Sequence, residues 1–262
     1  MRSILAWALG GLVLACTGAP PAVAQDPPKP PADSTFAVDG TIALASLMSL
    51  ADGHLVRMAG FLEMLASGEA RSADWSRIRS PLAGIGRHTV AAVLWFALPD
   101  GRYWTAGEGR EAGDLSDRPY FPRLMAGEAV TGSLVVSRST GKSVAIVAVP
   151  VKGEDGRVVG ALGASIHLDS LSLRLAREML LPDDVVFYAI DSIPLGALNR
   201  DPGLIFTEPL KLGADLARAI RDMLAQEEGL VSYRFRNSLR TVRFRKSQVT
   251  GWWYALGVIR AE

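Results

Sequence analysis

Ser137–Val147 reads SRSTGKSVAIV. The residues after its Gly-Lys-Ser decide the fold. A phosphate-cradling loop needs G-x-x-x-x-G-K-[ST] between a strand and a helix, so that glycine backbone and helix N-terminus face the anion. Gly141, Lys142 and Ser143 match, but Val136 stands where the first glycine is required. The next residues, SVAIVAVPV, are rich in β-branched side chains and contain Pro150. That is a strand. GSLVVS (132–137) on the other side is strand-like as well. Ser139-Thr140-Gly141-Lys142 therefore reads as a hairpin turn, with Gly141 supplying positive φ.

On both sides of this hairpin the apolar period stays at two. TVAAVLWFAL (89–98) is a strand, PDG a turn and RYWTAGE (102–108) its partner. LSDRPYFPRLMAGE (115–128) reads as a short helix with Ser116 or Asp114 as N-cap. AVTGSLVVS and SVAIVAVPV form the hairpin, KGEDG is a turn, and RVVGALGASIHL (157–168) is a further strand. Before this sheet the period is helical. Leu44, Leu47, Met48, Leu55, Met58, Leu62 and Leu65 mark one long amphipathic helix over 36–67, bent near Gly53, and a second helix is expected over 73–86. After the sheet, 169–181 is helical, VVFYAID a strand and DLARAIRDMLAQ an amphipathic helix. GLVSYRFR, RTVRFRKS and GWWYALGVI come next as three strands in meander order. Antiparallel sheets with helices packed on them make this an α+β chain.

Not all of the 262 residues belong to that fold. Residues 1–24 have a basic start at Arg2, an apolar stretch from Ile4 to Ala15 and an Ala22-Val23-Ala24 ending, the pattern of a secretory signal peptide. VLAC, ending at Cys16, also fits a lipobox, which would tether the chain to a membrane by acyl chains. The clean A-x-A site favours the soluble form, and both routes lead out of the cytoplasm. QDPPKPPADS (25–34) is a Pro-rich spacer. No later stretch reads as a transmembrane helix. Cys16 is the only cysteine, so the mature chain has no disulfide, thiol nucleophile or cysteine-held metal. Its three histidines (His54, His88, His167) lack metal-ligand spacing and no G-x-S-x-G elbow is present, so neither a metal, a cofactor nor an enzyme is expected. The net charge of +1 gives no general reason for a nucleic-acid partner. Arg234, Arg236, Arg240, Arg243, Arg245 and Lys246 form a basic run that reads as the solvated face of a sheet, with lipid headgroups or nucleic acid as the other reading.

Taken together, DGRYW, DLSDRPYFPRLMAGE, STGKSVAIVAVPV, the Gly160–Gly163–Leu168 spacing and the closing TGWWYALG resemble the Cache family of extracellular sensor domains over residues 36–260. The resemblance implies a long helix and two modules with PAS-like five-stranded sheets. The first spans 36–169 and is of the membrane-distal type; the second, smaller one spans 170–262. It also implies that small molecules bind in the distal module. Receptors and kinases of the family carry a second membrane helix and an output domain, and the sequence stops at Glu262 without either, so a free-standing member is expected.

In amino-acid-binding members an arginine and aromatics grip the ligand carboxylate, and a strand aspartate takes the ammonium. The arginine falls on Arg118, the aromatics on Tyr120 and Phe121, the aspartate on Ser165, and a further tyrosine near Val135. Arg118 offers a planar donor fork suited to a carboxylate. Without an acid at 165, an ammonium would be buried unpaired. The expected ligand is thus an organic acid or similar anion. Strand alternation puts His167 on the face of Ser165, as a second donor. Trp95, Tyr103 and Trp104 lie on the hairpin lining the pocket, and Trp252 and Trp253 pin the second core. Each also has a purely structural reading: Arg118 paired with Asp114 or Asp117, the aromatics as plain core. The functional expectation is a periplasmic ligand-binding sensor protein that reports to a separate membrane receptor or kinase, with the long helix as the face for a homodimer. The alternative is an envelope interaction protein whose pocket has degenerated.

Overall fold

A computed structural model describes residues 40–109 and 111–261. The leader, Cys16, the Pro-rich spacer and Phe36 lie outside them. The first element, α1 (Gly40–Ser67), runs for 28 residues, about 42 Å at 1.5 Å per residue. Leu44, Leu47, Ala51, Leu55, Met58, Leu62 and Ala66 recur every three or four positions and are buried. By length and apolar composition α1 is a candidate membrane span, contrary to the expectation that none comes after the leader. Here its stripe packs on protein. Gly53 does not interrupt it. A shorter α2 (Trp75–Ile85) comes next, and the Asp74 carboxylate caps it by accepting the Ser76 N–H at 2.9 Å.

The first sheet comprises β1 (Ala92–Ala97), β2 (Arg102–Thr105), β3 (Glu111–Asp114), β4 (Val130–Val136), β5 (Ser143–Lys152) and β6 (Val158–His167). Its order is β3-β2-β1-β6-β5-β4, with antiparallel pairing throughout. It therefore has six strands, not five. The extra edge strand β3 is EAGD, too short and too polar to show a period of two. The 139–142 hairpin forms as expected: Gly141 has φ +68°, and the Ser137 N–H donates to the Lys142 carbonyl at 2.8 Å.

After α4 (Leu168–Glu178) comes the second sheet: β7 (Val185–Ile190), β8 (Gly196–Asn199), β9 (Glu228–Phe235), β10 (Ser238–Lys246) and β11 (Trp253–Ala261), with α5 (Ala214–Leu224) before β9. Its order is β8-β7-β11-β10-β9. The meander agrees with the sequence pattern; β8, reading GALN, has no counterpart in it.

One core joins the two sheets. α1 lies against β5 and β6 of the first and β10 and β11 of the second. Val147, Val149 and Leu162 share that core with Phe187, Trp252 and Tyr254. Asp52 of α1 accepts from Tyr254 Oη at 2.8 Å and from Ser247 Oγ at 2.7 Å. Contrary to expectation, Trp252 therefore does not belong to the second sheet's private core. That core, under α5, holds Trp253, Tyr188, Tyr233 and Phe244. Trp104 likewise turns away from the expected pocket. It stacks 6.2 Å from Trp75 and 6.4 Å from Phe96 on the α1 side. Strand alternation explains this, because Tyr103 already occupies the other face.

Candidate functional site

The face of the first sheet opposite α1 carries the predicted site. Trp95 pairs with Gly163 across β1 and β6, and Val93 with Ser165. A Cβ at position 163 would lie 2.1 Å from the Trp95 ring, so only glycine lets the indole lie flat across β6. The indole thereby reaches Ser165, donating to its Oγ at 3.2 Å. Both residues are buried.

Above this floor sits the turn from β3 to α3 (Phe121–Met125). Neither expected cap is used at α3. Tyr120 holds the N-cap position and caps nothing with its side chain. Asp114 instead accepts the Ser116 N–H at 2.6 Å, shaping the preceding turn. The Leu115 N–H donates to the Gly101 carbonyl at 2.8 Å, and the Arg118 N–H to the Leu115 carbonyl at 3.0 Å. This fold-back places Tyr120 with its ring centroid 6.3 Å from that of Trp95. Burial pushes the Tyr120 phenol up to about 12, so it stays a neutral donor.

Two arginines tie the turn to the β4–β5 hairpin. Arg118 Nη2 donates to the Val136 carbonyl at 3.0 Å. Arg138 donates to the Asp114 carbonyl at 2.8 Å and pairs with the Asp117 carboxylate. Among the described residues Arg118 pairs with neither Asp114 nor Asp117, and its buried Nε has no hydrogen-bond partner. Nearby, the buried His167 Nε2 and Thr105 Oγ1 also lack partners. Burial, then the Lys142 cation, lowers the His167 pKa, which keeps the ring neutral at pH 7.

Trp95, Tyr103, Arg118, Tyr120 and Ser165 thus line one cavity, together with Val135 and Arg138. Two predicted residues do not. Phe121 is 4 % exposed and packs with Leu124 and Val130, because the first turn of α3 rotates it into the core. His167 shares the Ser165 face but lies at the sheet end, outside the lining. Arg138 was missed; its only signal was its place beside the hairpin turn. The cavity measures about 20 Å³, room for roughly one water. It adjoins an open crevice of about 310 Å³ that shares Val93 and Ser139 with it. No aspartate or glutamate lines the cavity itself.

No family model and no curated protein matches the chain. Solved structures do. The ligand-binding domain of the Pseudomonas aeruginosa PAO1 amino acid chemoreceptor PctB, in complex with L-Arg, matches at TM-score 0.67 and 14 % identity, over 84 % of this chain and 94 % of that one. The chain has the double-Cache fold. The ligand-binding domain of the Pseudomonas fluorescens chemoreceptor CtaA, in complex with L-alanine, gives 0.67 and 14 %, over 84 % and 95 %. An extracellular ligand binding receptor from Desulfohalobium retbaense DSM5692 gives 0.67 and 15 %, over 83 % of this chain, which spans only 40 % of that receptor. At such identities the double-Cache likeness is one of fold.

Proposed function

We propose that this double-Cache chain is an extracytoplasmic, non-catalytic sensor module that binds a small organic anion, a carboxylate above all, in its first module (36–169). The observation that carries this is Arg118: a guanidinium with a buried, unpartnered Nε beside a cavity without carboxylates. The residue is half-exposed and its Nη2 is held by the Val136 carbonyl, so an incoming carboxylate would meet the donors of a pre-oriented planar fork. The PctB and CtaA complexes hold amino acids. Here Ser165 stands where the resemblance puts the ammonium-binding aspartate, and its hydroxyl already accepts from Trp95. Ligand entry from the adjoining crevice would turn the Tyr120 and Arg118 side chains outward.

The signal would pass to a separate membrane receptor or kinase. Association of two copies would use the flank of α1 where Ile42, Val56 and Met64 stand exposed. Export through the 1–24 leader, with Cys16 as the alternative lipid anchor, belongs to the same proposal.

One observation favours the second reading, an interaction protein with a degenerate pocket: the cavity has room for about one water. A thermal-shift screen of carboxylic acids, amino acids, amines and purines on residues 25–262, with Arg118→Ala alongside, separates the two. Ligand at a hundred times its Kd stabilises by about 2.7 kcal/mol, several degrees at this size. A shift with an acid that disappears in the variant supports the sensor. A cooperatively folded protein that shifts with nothing supports the second reading.

A further inference from the structure

The basic run of β9 and β10 is not wholly solvated. Arg236, Arg243 and Arg245 are exposed, with Arg236 paired to Asp201 and Arg245 to Glu228. Alternation puts Arg240, Val242, Phe244 and Lys246 on the α5 side of β10. Lys246 sits at that rim, 3.1 Å from the Glu227 carboxylate. Arg240 lines a second cavity of about 40 Å³, twice the volume of the one beside Trp95. It lies between the second sheet and α5, roofed by residues 204–212.

The walls of this cavity are largely apolar: Leu204, Leu216, Ile220 and Phe235. Its polar groups are few. Arg240 Nε is buried without a hydrogen-bond partner, and the residue has no ion pair among the described residues. Its guanidinium lies 4.7 Å from the Phe235 ring centroid and reaches the Tyr233 hydroxyl. The Tyr188 hydroxyl meets that of Tyr233 as well, and Met223 Sδ at 3.4 Å, a weak acceptor. Burial raises both phenols, so they stay neutral. No aspartate or glutamate lines the space. Cation–π and phenol contacts recover part of the desolvation cost of such a cation, typically less than a carboxylate would. The site thus has one cation without a counter-charge, a pair of neutral phenols, and hydrocarbon around them.

We propose that this cavity is a second ligand site, independent of the first, for a small monocarboxylate with an apolar body. The carboxylate meets Arg240 and the Tyr188–Tyr233 pair, and because the space as it stands admits only a few waters, the hydrocarbon body enters between the Leu216 and Ile220 walls by displacing the 204–212 roof. A shell of this kind discriminates against neutral analogues, which leave the guanidinium without a counter-charge, and against amino acids, whose ammonium finds no acid.

The test is methyl-labelled NMR of residues 25–262, titrated with benzoate and hexanoate against benzyl alcohol and hexan-1-ol. Ring-current shifts of the Leu204, Leu216 and Ile220 methyls with benzoate are expected in the wild type and in Arg118→Gln. Affinity should fall at least tenfold in Arg240→Gln and for the alcohols. Unmoved methyls with both acids, equal affinity in Arg240→Gln, or shifts confined to residues around Trp95 would overturn the proposal. Should Arg240→Gln not fold, the acid-to-alcohol ratio in the wild type decides, and a ratio of one sinks it.

Discussion

Trp252 Nε1 donates to the Gly132 carbonyl at 3.0 Å, and this bond joins the two sheets. Gly132 sits at the irregularity of β4 with φ +88°, and a Cβ there would lie 3.0 Å from Thr250 Cβ and 3.3 Å from the Trp252 ring. The loop before β11 thus plugs into a dent in the first sheet. Trp252→Phe leaves a buried carbonyl without its donor, at a cost of about 1–3 kcal/mol. Gly132→Ala adds a left-handed penalty of about 1–2 kcal/mol to a tight contact. Denaturant melts should show both losses, and the double variant should lose less than their sum, since the sites share one contact. Strict additivity would mean that the two residues are not coupled.

Gly163→Ala should disturb the site more than the fold. The new methyl would collide with the Trp95 ring, whose displacement breaks the bond to Ser165. Overpacking of this kind costs about 1–3 kcal/mol. A red-shifted, more quenchable Trp fluorescence with otherwise native far-UV dichroism is the expected signature. An unchanged emission spectrum would contradict the placement of Trp95.

Ser165→Asp puts a carboxylate on the floor of the cavity that Arg118 also lines. The variant should lose affinity for simple carboxylates and gain measurable binding of α-amino acids, because the ammonium then has a partner. Calorimetric titration with each class reads this. Unchanged selectivity would remove Ser165 from the site.

Asp191, just past the end of β7, has its pKa raised to about 6 by burial, opposed by the N–H groups of Leu195 and Ile193. Its folded pKa exceeds the unfolded one, so the folded state holds the extra proton between roughly pH 4 and 6. That contribution is full below pH 4 and is lost as the pH rises through 6. Asp191→Asn, which still accepts from Leu195, should therefore gain about 1 kcal/mol at pH 7.5, after allowance for solvent screening at this half-buried group. Melting temperatures of the two proteins should converge at pH 4. A variant less stable at pH 7.5 would show that the carboxylate is needed ionised.

The architecture was largely legible because strong periods carry it. The stripe from Leu44 to Leu62, the β-branched run in 143–151 and the turn glycine at 141 each have one cheap solution. β3 and β8 were not legible: four residues of EAGD or GALN have no period, and tertiary pairing alone makes them strands. Among the site residues, Trp95, Tyr103, Arg118, Tyr120 and Ser165 line one cavity. Phe121 was lost to the rotation of α3, which residue spacing in so short a helix does not fix. Arg240 was hidden among neighbours of its own charge, since six cations on a hairpin look alike until the cavity under α5 is known.

The functional reading rests on Arg118 anchoring an anion that carries no ammonium. Calorimetric titration of residues 25–262 with small carboxylic acids and their α-amino counterparts, in the wild type and Arg118→Ala, puts this to the test. With the Arg240 cavity disabled by Arg240→Gln in both proteins, saturable binding of an acid, at least tenfold weaker binding of its amino counterpart and a heat that disappears in the Arg118 variant are expected. Amino acids bound as tightly as the acids, or acid binding that survives Arg118→Ala at the Trp95 cavity, would contradict it.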